Sequence, residues 1–180
     1  MANLLTAIRL LLTFPLAWSM AEPEFLPGPV ILLILIVAVL TDYFDGIVAR
    51  ASGTASPAGM LFDHGTDFLF VTSSLAAAAW AGYLHWILPV VIVIAFSQYV
   101  LDSYLLFRQR ELRMNFLGRW NGIFYFVPLF GIALSRSIPV ETLSSLFAQA
   151  TAVLAIALIL STCASIIDRG LADFKQLDKS

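Results

Sequence analysis

Residues 30–67 read VILLILIVAVLTDYFDGIVARASGTASPAGMLFDHGTD. Every residue from Val30 to Leu40 is apolar, and four aspartates follow, Asp42, Asp45, Asp63 and Asp67. A helix that crosses a bilayer needs about 20 mostly apolar residues. The stretch therefore reads as a membrane helix that ends in carboxylates, answered by a second helix that begins with them. The rest of the chain suits a lipid solvent. Of its 180 residues, 60% are hydrophobic and 12% charged, and the mean hydropathy of +0.90 excludes a water-soluble globule. Six spans would use roughly 120 residues and leave about 60 for loops, so residues 1–180 are expected to form one all-α integral membrane domain. A net charge of −2 leaves no electrostatic footprint for nucleic acid.

Apolar runs predict six transmembrane helices at about 4–21, 29–51, 58–83, 85–107, 119–136 and 143–167. Pro23, Pro27 and Pro29 end the first hairpin, Ser52, Gly53 and Pro57 part the second and third helices, and Pro139 parts the fifth and sixth. Pro128 falls inside the fifth helix and should kink it, which a bundle tolerates. The apolar opening followed by Ser19-Met20-Ala21 has the outline of a secretory signal. Arg9 and Pro15 interrupt it and no basic segment precedes it, so a first membrane helix is expected instead. The single cysteine, Cys163, lies in an apolar stretch and reads as a small core side chain.

Basic residues orient the bundle. With a cytoplasmic N-terminus, Arg9, Arg50, Arg108, Arg110, Arg113, Arg119, Arg169, Lys175 and Lys179 all lie inside and Arg136 alone outside, a strong positive-inside asymmetry. Both termini are thus expected in the cytoplasm. Trp18, Trp80, Trp86 and Trp120, near span ends, read as interface anchors.

Charges inside a membrane segment are expensive and usually face a water-filled cavity with a task. At 100° per residue, Asp42, Asp45, Gly46, Ala49 and Arg50 share about 140° of one helix face, and Gly59, Asp63 and Asp67 form a stripe on the next. Two antiparallel helices joined by a short loop can turn these stripes toward each other. Four converging carboxylates need compensation, and their all-oxygen chemistry suits Mg²⁺ or Mn²⁺. Zinc would lean on Cys and His, of which the stretch offers only His64, read here as a polar neighbour. Arg50 adds a forked cation for a phosphate. The small residues Gly46, Ala49 and Gly59 allow close backbone packing or room for a ligand.

The stretch carries D-x-x-D-G-x-x-A-R-x8-G-x-x-x-D-x-x-x-D in full, and on this signature the chain resembles the CDP-alcohol phosphotransferase family. Eight fixed positions at that spacing arise by chance on the order of once in 10⁸ chains of this length. Asn3, Thr6 and Arg9 supply the N-x-x-T-x-x-R similar to the family's opening. The resemblance implies an enzyme that displaces CMP from a CDP-linked lipid, such as CDP-diacylglycerol, with an alcohol hydroxyl. It further implies that Asp42, Asp45 and Asp63 hold one metal and Asp42, Asp63 and Asp67 a second, with Asp67 as the base. Gly46, Arg50 and Ser56 would contact the CDP group, with Ala49, Gly59, Asn3 and Thr6 in the same CDP-lipid pocket. A homodimer in the cell membrane, its site facing the cytoplasm, is implied as well.

Thr41 to Gly46 looks like the T-D-x-x-D-G of phosphatidylglycerophosphate synthases, which makes glycerol 3-phosphate the leading acceptor. Phe68 stands where those enzymes carry lysine, and Gly118-Arg119-Trp120-Asn121-Gly122 stands for their G-K-x-K-T. Inositol phosphate or another alcohol is the alternative. A phosphorylated acceptor wants cations, and Arg108, Arg110, Arg113 and above all Arg119 are the supply, with Asp102 beside Gln98 for hydroxyls. Two other readings compete. An aspartate-rich membrane prenyltransferase would lack the G-x-x-A-R element and release pyrophosphate, and an ion or metal transporter would carry flux.

Overall fold

The structure, a computed structural model, describes residues 2–51, 57–101 and 116–177. Among the described residues it is all-helical: α1 (Ala2–Ala21), α2 (Gly28–Ala51), α3 (Pro57–Trp80), α4 (Ile87–Leu101), α5 (Phe116–Phe124), α6 (Phe126–Ser137) and α7 (Glu141–Leu177). Three stretches are long and apolar enough to cross a membrane: Gly28–Asp45, Phe116–Ser137 across α5 and α6, and Glu141–Leu171. Leu5–Ala21 and Ile87–Leu101 are shorter apolar helices. Leu11, Phe14, Leu33, Val153 and Leu160 are exposed around the outside, far more apolar surface than a soluble domain shows. This is the exterior of a membrane protein.

Helix ends follow local chemistry. α3 stops at Trp80 rather than 83 because Gly82 takes the left-handed conformation, φ +82. The Gly82 and Tyr83 amides then donate to the carbonyls of Ala79 and Ala78, which closes the helix as a Schellman motif. α4 starts at Ile87, whose amide donates to His85 Nδ1 at 3.2 Å. The expected fifth span bends at Tyr125, one turn before Pro128, because the proline has no N–H for the Phe124 carbonyl. α7 runs through Asp168, Arg169 and Gly170 to Leu177, well past the expected 167, since charge does not end a helix as proline does. Pro15 is carried within α1.

The core joins Leu16 and Met20 of α1, Ile31, Leu35 and Ala38 of α2, Phe70 and Leu75 of α3, and Leu129 and Ile132 of α6. Among the described residues α1 packs along both α2 and α3, and the two aspartate-bearing helices meet each other through their carboxylates. Hydroxyls are absorbed by their own helices: Thr66 donates to Phe62 O, Ser74 to Phe70 O and Thr151 to Phe147 O. Gly131 permits the approach of α6 to α7, where any side chain would strike Thr151.

Arg136, the one basic residue assigned outside, closes the end of the bundle away from the aspartates. Its guanidinium donates to Ser19 O at 2.6 Å, Leu26 O at 2.9 Å and Pro23 O, tying the end of α6 to the turn between α1 and α2. Charged hydrogen bonds contribute about 1.5–3 kcal/mol each when buried, and these are partly exposed. Arg136→Gln is therefore expected to destabilise the protein by about 2 kcal/mol, read as a lower thermal midpoint in detergent that Arg136→Lys partly restores.

Candidate active site

α1 brings its polar face to the aspartates. Thr6 and Arg9, three residues apart on one side of the helix, are both buried. Asp42 comes from α2, and Asp63 and Asp67, one turn apart, from α3. One carboxylate oxygen of each of these three aspartates lies within 4.8 Å of the others. Arg9 reaches into the triangle: its Nη1 is 3.2 Å from Asp42 Oδ1, 3.2 Å from Asp63 Oδ1 and pairs with Asp67 Oδ1. Its side chain is 0% exposed, whereas those of Asp42, Asp63 and Asp67 are 46%, 28% and 27% exposed. The carboxylates thus open to one side while the arginine approaches from within the protein.

Asp45 points elsewhere. It lies 60° around α2 from Asp42, is buried, and accepts the Thr6 hydroxyl on Oδ2. Its Oδ1 is buried without a hydrogen-bond partner, an oxygen positioned to gain from a cation. His64 Nδ1 stands 3.9 Å from Asp63 Oδ2. Gly59, part-buried, is on the first turn of α3. Of Asn3, Gly46, Ala49 and Arg50 only the helical backbone is described. Ser56, Asp102, Arg108, Arg110 and Arg113 lie outside the described residues.

A cavity of about 470 Å³ opens beside the triangle, with Asp42, His64 and Asp67 on its wall. Arg119 from the start of α5 and Arg169 from α7 line the same cavity, with Gln98 and Tyr99 of α4. Arg169 lies over the Tyr99 ring, 5.2 Å from its centre, and Gln98 donates to Ile166 O at 3.3 Å. Much of the lining is apolar: Phe68 stacks on Phe96 with centroids 4.0 Å apart and planes 8° from parallel, and Val71, Ile92 and Phe126 line the cavity as well. Phe68, which departs from a lysine pattern in sequence, is thus part of an aromatic wall.

Sequence reasoning counts Arg9 as an orientation signal and as part of the N-x-x-T-x-x-R opening, and Arg169 only as an orientation signal; it assigns neither to the site. The clue to Arg9 is its spacing of three from Thr6, which places both on one face. For Arg169 no comparable signal exists, since α7 meets α4 only through tertiary packing.

A model of the CDP-alcohol phosphatidyltransferase family matches residues 1–167, which include every charged group of the triangle. The chain belongs to that family. The CDP-diacylglycerol–glycerol-3-phosphate 3-phosphatidyltransferase of Mycoplasma genitalium is 31% identical over 97 residues, 52% of this chain and 40% of that protein. The enzyme of the same name from Mycoplasma pneumoniae is 32% identical over 92 residues, 49% of this chain and 40% of that protein. The cardiolipin synthase (CMP-forming) of Streptomyces coelicolor is 33% identical over 95 residues, 51% of this chain and 44% of that protein. The matched part therefore spans about two fifths of each relative. No solved structure matches the chain.

In this member of the CDP-alcohol phosphatidyltransferase family the Thr6 hydroxyl donates to the buried carboxylate of Asp45. Thr6→Val should cost roughly 1–3 kcal/mol by leaving that acceptor unpaired. Thr6→Ser should recover most of the loss in the same thermal unfolding measurement.

Proposed function

We propose that this protein transfers a phosphatidyl-type group from a CDP-linked lipid, CDP-diacylglycerol in the leading case, to an alcohol acceptor with release of CMP. The observation that carries the reading is the Asp42, Asp63 and Asp67 triangle at the wall of a cavity that also holds two arginines. Membership of the CDP-alcohol phosphatidyltransferase family supports it.

The oxygen-only donor set and the unpartnered Asp45 Oδ1 fit Mg²⁺ or Mn²⁺. Asp42, Asp63 and Asp67, with Asp45 behind them, would hold the metal, two ions in the full reading. Bound there, the metal supplies Lewis-acid neutralisation of the donor pyrophosphate. Gly46, Ala49, Arg50, Ser56, Gly59, Asn3 and Thr6 are assigned to the CDP-lipid side. The family resemblance assigns the base for the acceptor to Asp67, and its place in the triangle and on the cavity wall, which Asp42 shares, supports that role. The acceptor oxygen bonds to the phosphorus that bears the lipid, the bridging P–O bond breaks, CMP departs, and the hydroxyl proton passes to Asp67.

Arg119 and Arg169 offer charge-assisted bonds to an acceptor phosphate, which favours glycerol 3-phosphate, with Arg108, Arg110, Arg113 and Asp102 in supporting roles. The apolar wall of Phe68 and Phe96 favours a second acceptor, a phosphate ester that also carries acyl chains. The reading places six membrane spans with both termini and the site on the cytoplasmic side of the cell membrane, as a homodimer. The basic residues at the aspartate end, Arg9, Arg119 and Arg169, support that orientation.

The test is CMP release by purified protein with CDP-diacylglycerol, Mg²⁺ and a panel of acceptors. Asp67→Asn should lower the rate by about 10²–10⁴-fold. Arg119→Gln should raise KM for a phosphorylated acceptor by about tenfold or more with a smaller change in kcat. Pyrophosphate release in place of CMP, or no release with any acceptor from folded protein, would contradict the reading. Reporter fusions at the two ends should both read cytoplasmic.

A further inference from the structure

We propose that Arg9 is a built-in counter-cation of the aspartate triangle that competes with a divalent metal for it and must withdraw when the metal binds. The inference rests on the reading of Asp42, Asp63 and Asp67 as metal-holding residues and adds a competitor for them.

Three observations carry it. First, a single nitrogen, Nη1, contacts Oδ1 of all three aspartates. A cation held by oxygens drawn from the same triangle, at roughly 2.0–2.6 Å, and this nitrogen cannot share the space between them. Second, the contact is not the forked pairing that makes arginine a strong carboxylate partner. Nη2 lies 3.2 Å from Asp63 Oδ1, yet among the described residues neither it nor Nε makes a hydrogen bond, although both are buried. Arg9 therefore acts as a point charge at the centre of an anionic triangle, the role of a metal ion, with much of its donor capacity unused. Third, the carboxylates open toward the cavity while Arg9 is wholly enclosed behind them. A cation can reach them from the cavity without passing the guanidinium.

The charges give the exchange its direction. With the three carboxylates ionised, one guanidinium leaves two negative charges and a divalent ion would leave one, which favours the ion over the arginine. In the absence of metal, Arg9 keeps the three helices from separating under that repulsion. It also holds Asp67, so the base is free only after the arginine has moved. Arg9 is thus a positioning residue that links metal loading to a competent site.

The experiment is Mn²⁺ binding to detergent-purified protein, followed by electron paramagnetic resonance of free Mn²⁺, together with the thermal midpoint with and without Mn²⁺. Wild type, Arg9→Gln and Arg9→Lys are compared, each also with Asp63→Asn to show that the signal belongs to this triangle. Arg9→Gln should lower the metal-free midpoint, enlarge the rise produced by Mn²⁺, and bind Mn²⁺ about tenfold tighter or more, the effect of removing a competing ion pair of modest strength. Arg9→Lys should fall between. If Arg9→Gln does not fold, Arg9→Lys decides by the same sign: tighter binding than wild type supports the proposal, and equal or weaker binding overturns it. Equal or weaker binding by folded Arg9→Gln overturns the role of Arg9 and leaves the metal reading standing. An absence of Asp63-dependent binding in every protein overturns the metal reading, and this proposal with it.

Discussion

Three carboxylates from two helices meet around one arginine nitrogen from a third, and the aspartate end of the bundle depends on that balance. In a lipid solvent such groups cannot rely on bulk water for screening, so each must find an opposite charge within the protein or from an ion. The packing of α1 along both α2 and α3 satisfies the requirement and sets the packing of the first half of the chain. The same helix then runs to the opposite end, where Ser19 O accepts from Arg136. One helix thus links the charged centre to the clamp that fixes the far end.

The cavity beside the centre combines three kinds of chemistry in its lining. Carboxylates, arginines from α5 and α7, and a stacked aromatic pair from α3 and α4 all line it. On the proposed function, a phosphate-bearing alcohol would find cations for its charge and Asp67 for its hydroxyl proton, while acyl chains of the donor stay in the bilayer. The polar strip between α5 and α7, in which Ser161 donates to Asn121 and Tyr125 pairs with Thr162, holds the bent fifth span against the long last helix. Arg119 and Arg169 are carried on those two elements.

Much of this is legible in the sequence because helical periodicity is local. Spacings of three and four place Asp63 with Asp67 and identify the face of α2 that carries Asp42, and the bend near Pro128 follows from its missing N–H. What is not legible is which helix packs along two others. The expectation that the α2 and α3 stripes turn toward each other holds for Asp42, Asp63 and Asp67 but leaves out α1, because periodicity describes a face and not every neighbour against it. Arg9 illustrates the difficulty: an arginine in an apolar run reads alike whether it snorkels to the interface or is enclosed among carboxylates. Asp42 and Asp45 form one motif, yet 60° of rotation sends one to the cavity and the other to Thr6. Arg169, from the far end of the chain, joins the cavity only through the packing of α7 on α4.

The most direct test of the account is an anomalous diffraction map from crystals of the protein soaked in Mn²⁺. The account predicts a manganese peak among Asp42, Asp63 and Asp67, with the Arg9 guanidinium displaced from their midst. Arg9 still seated on all three aspartates at saturating Mn²⁺, with no peak among them, would contradict it.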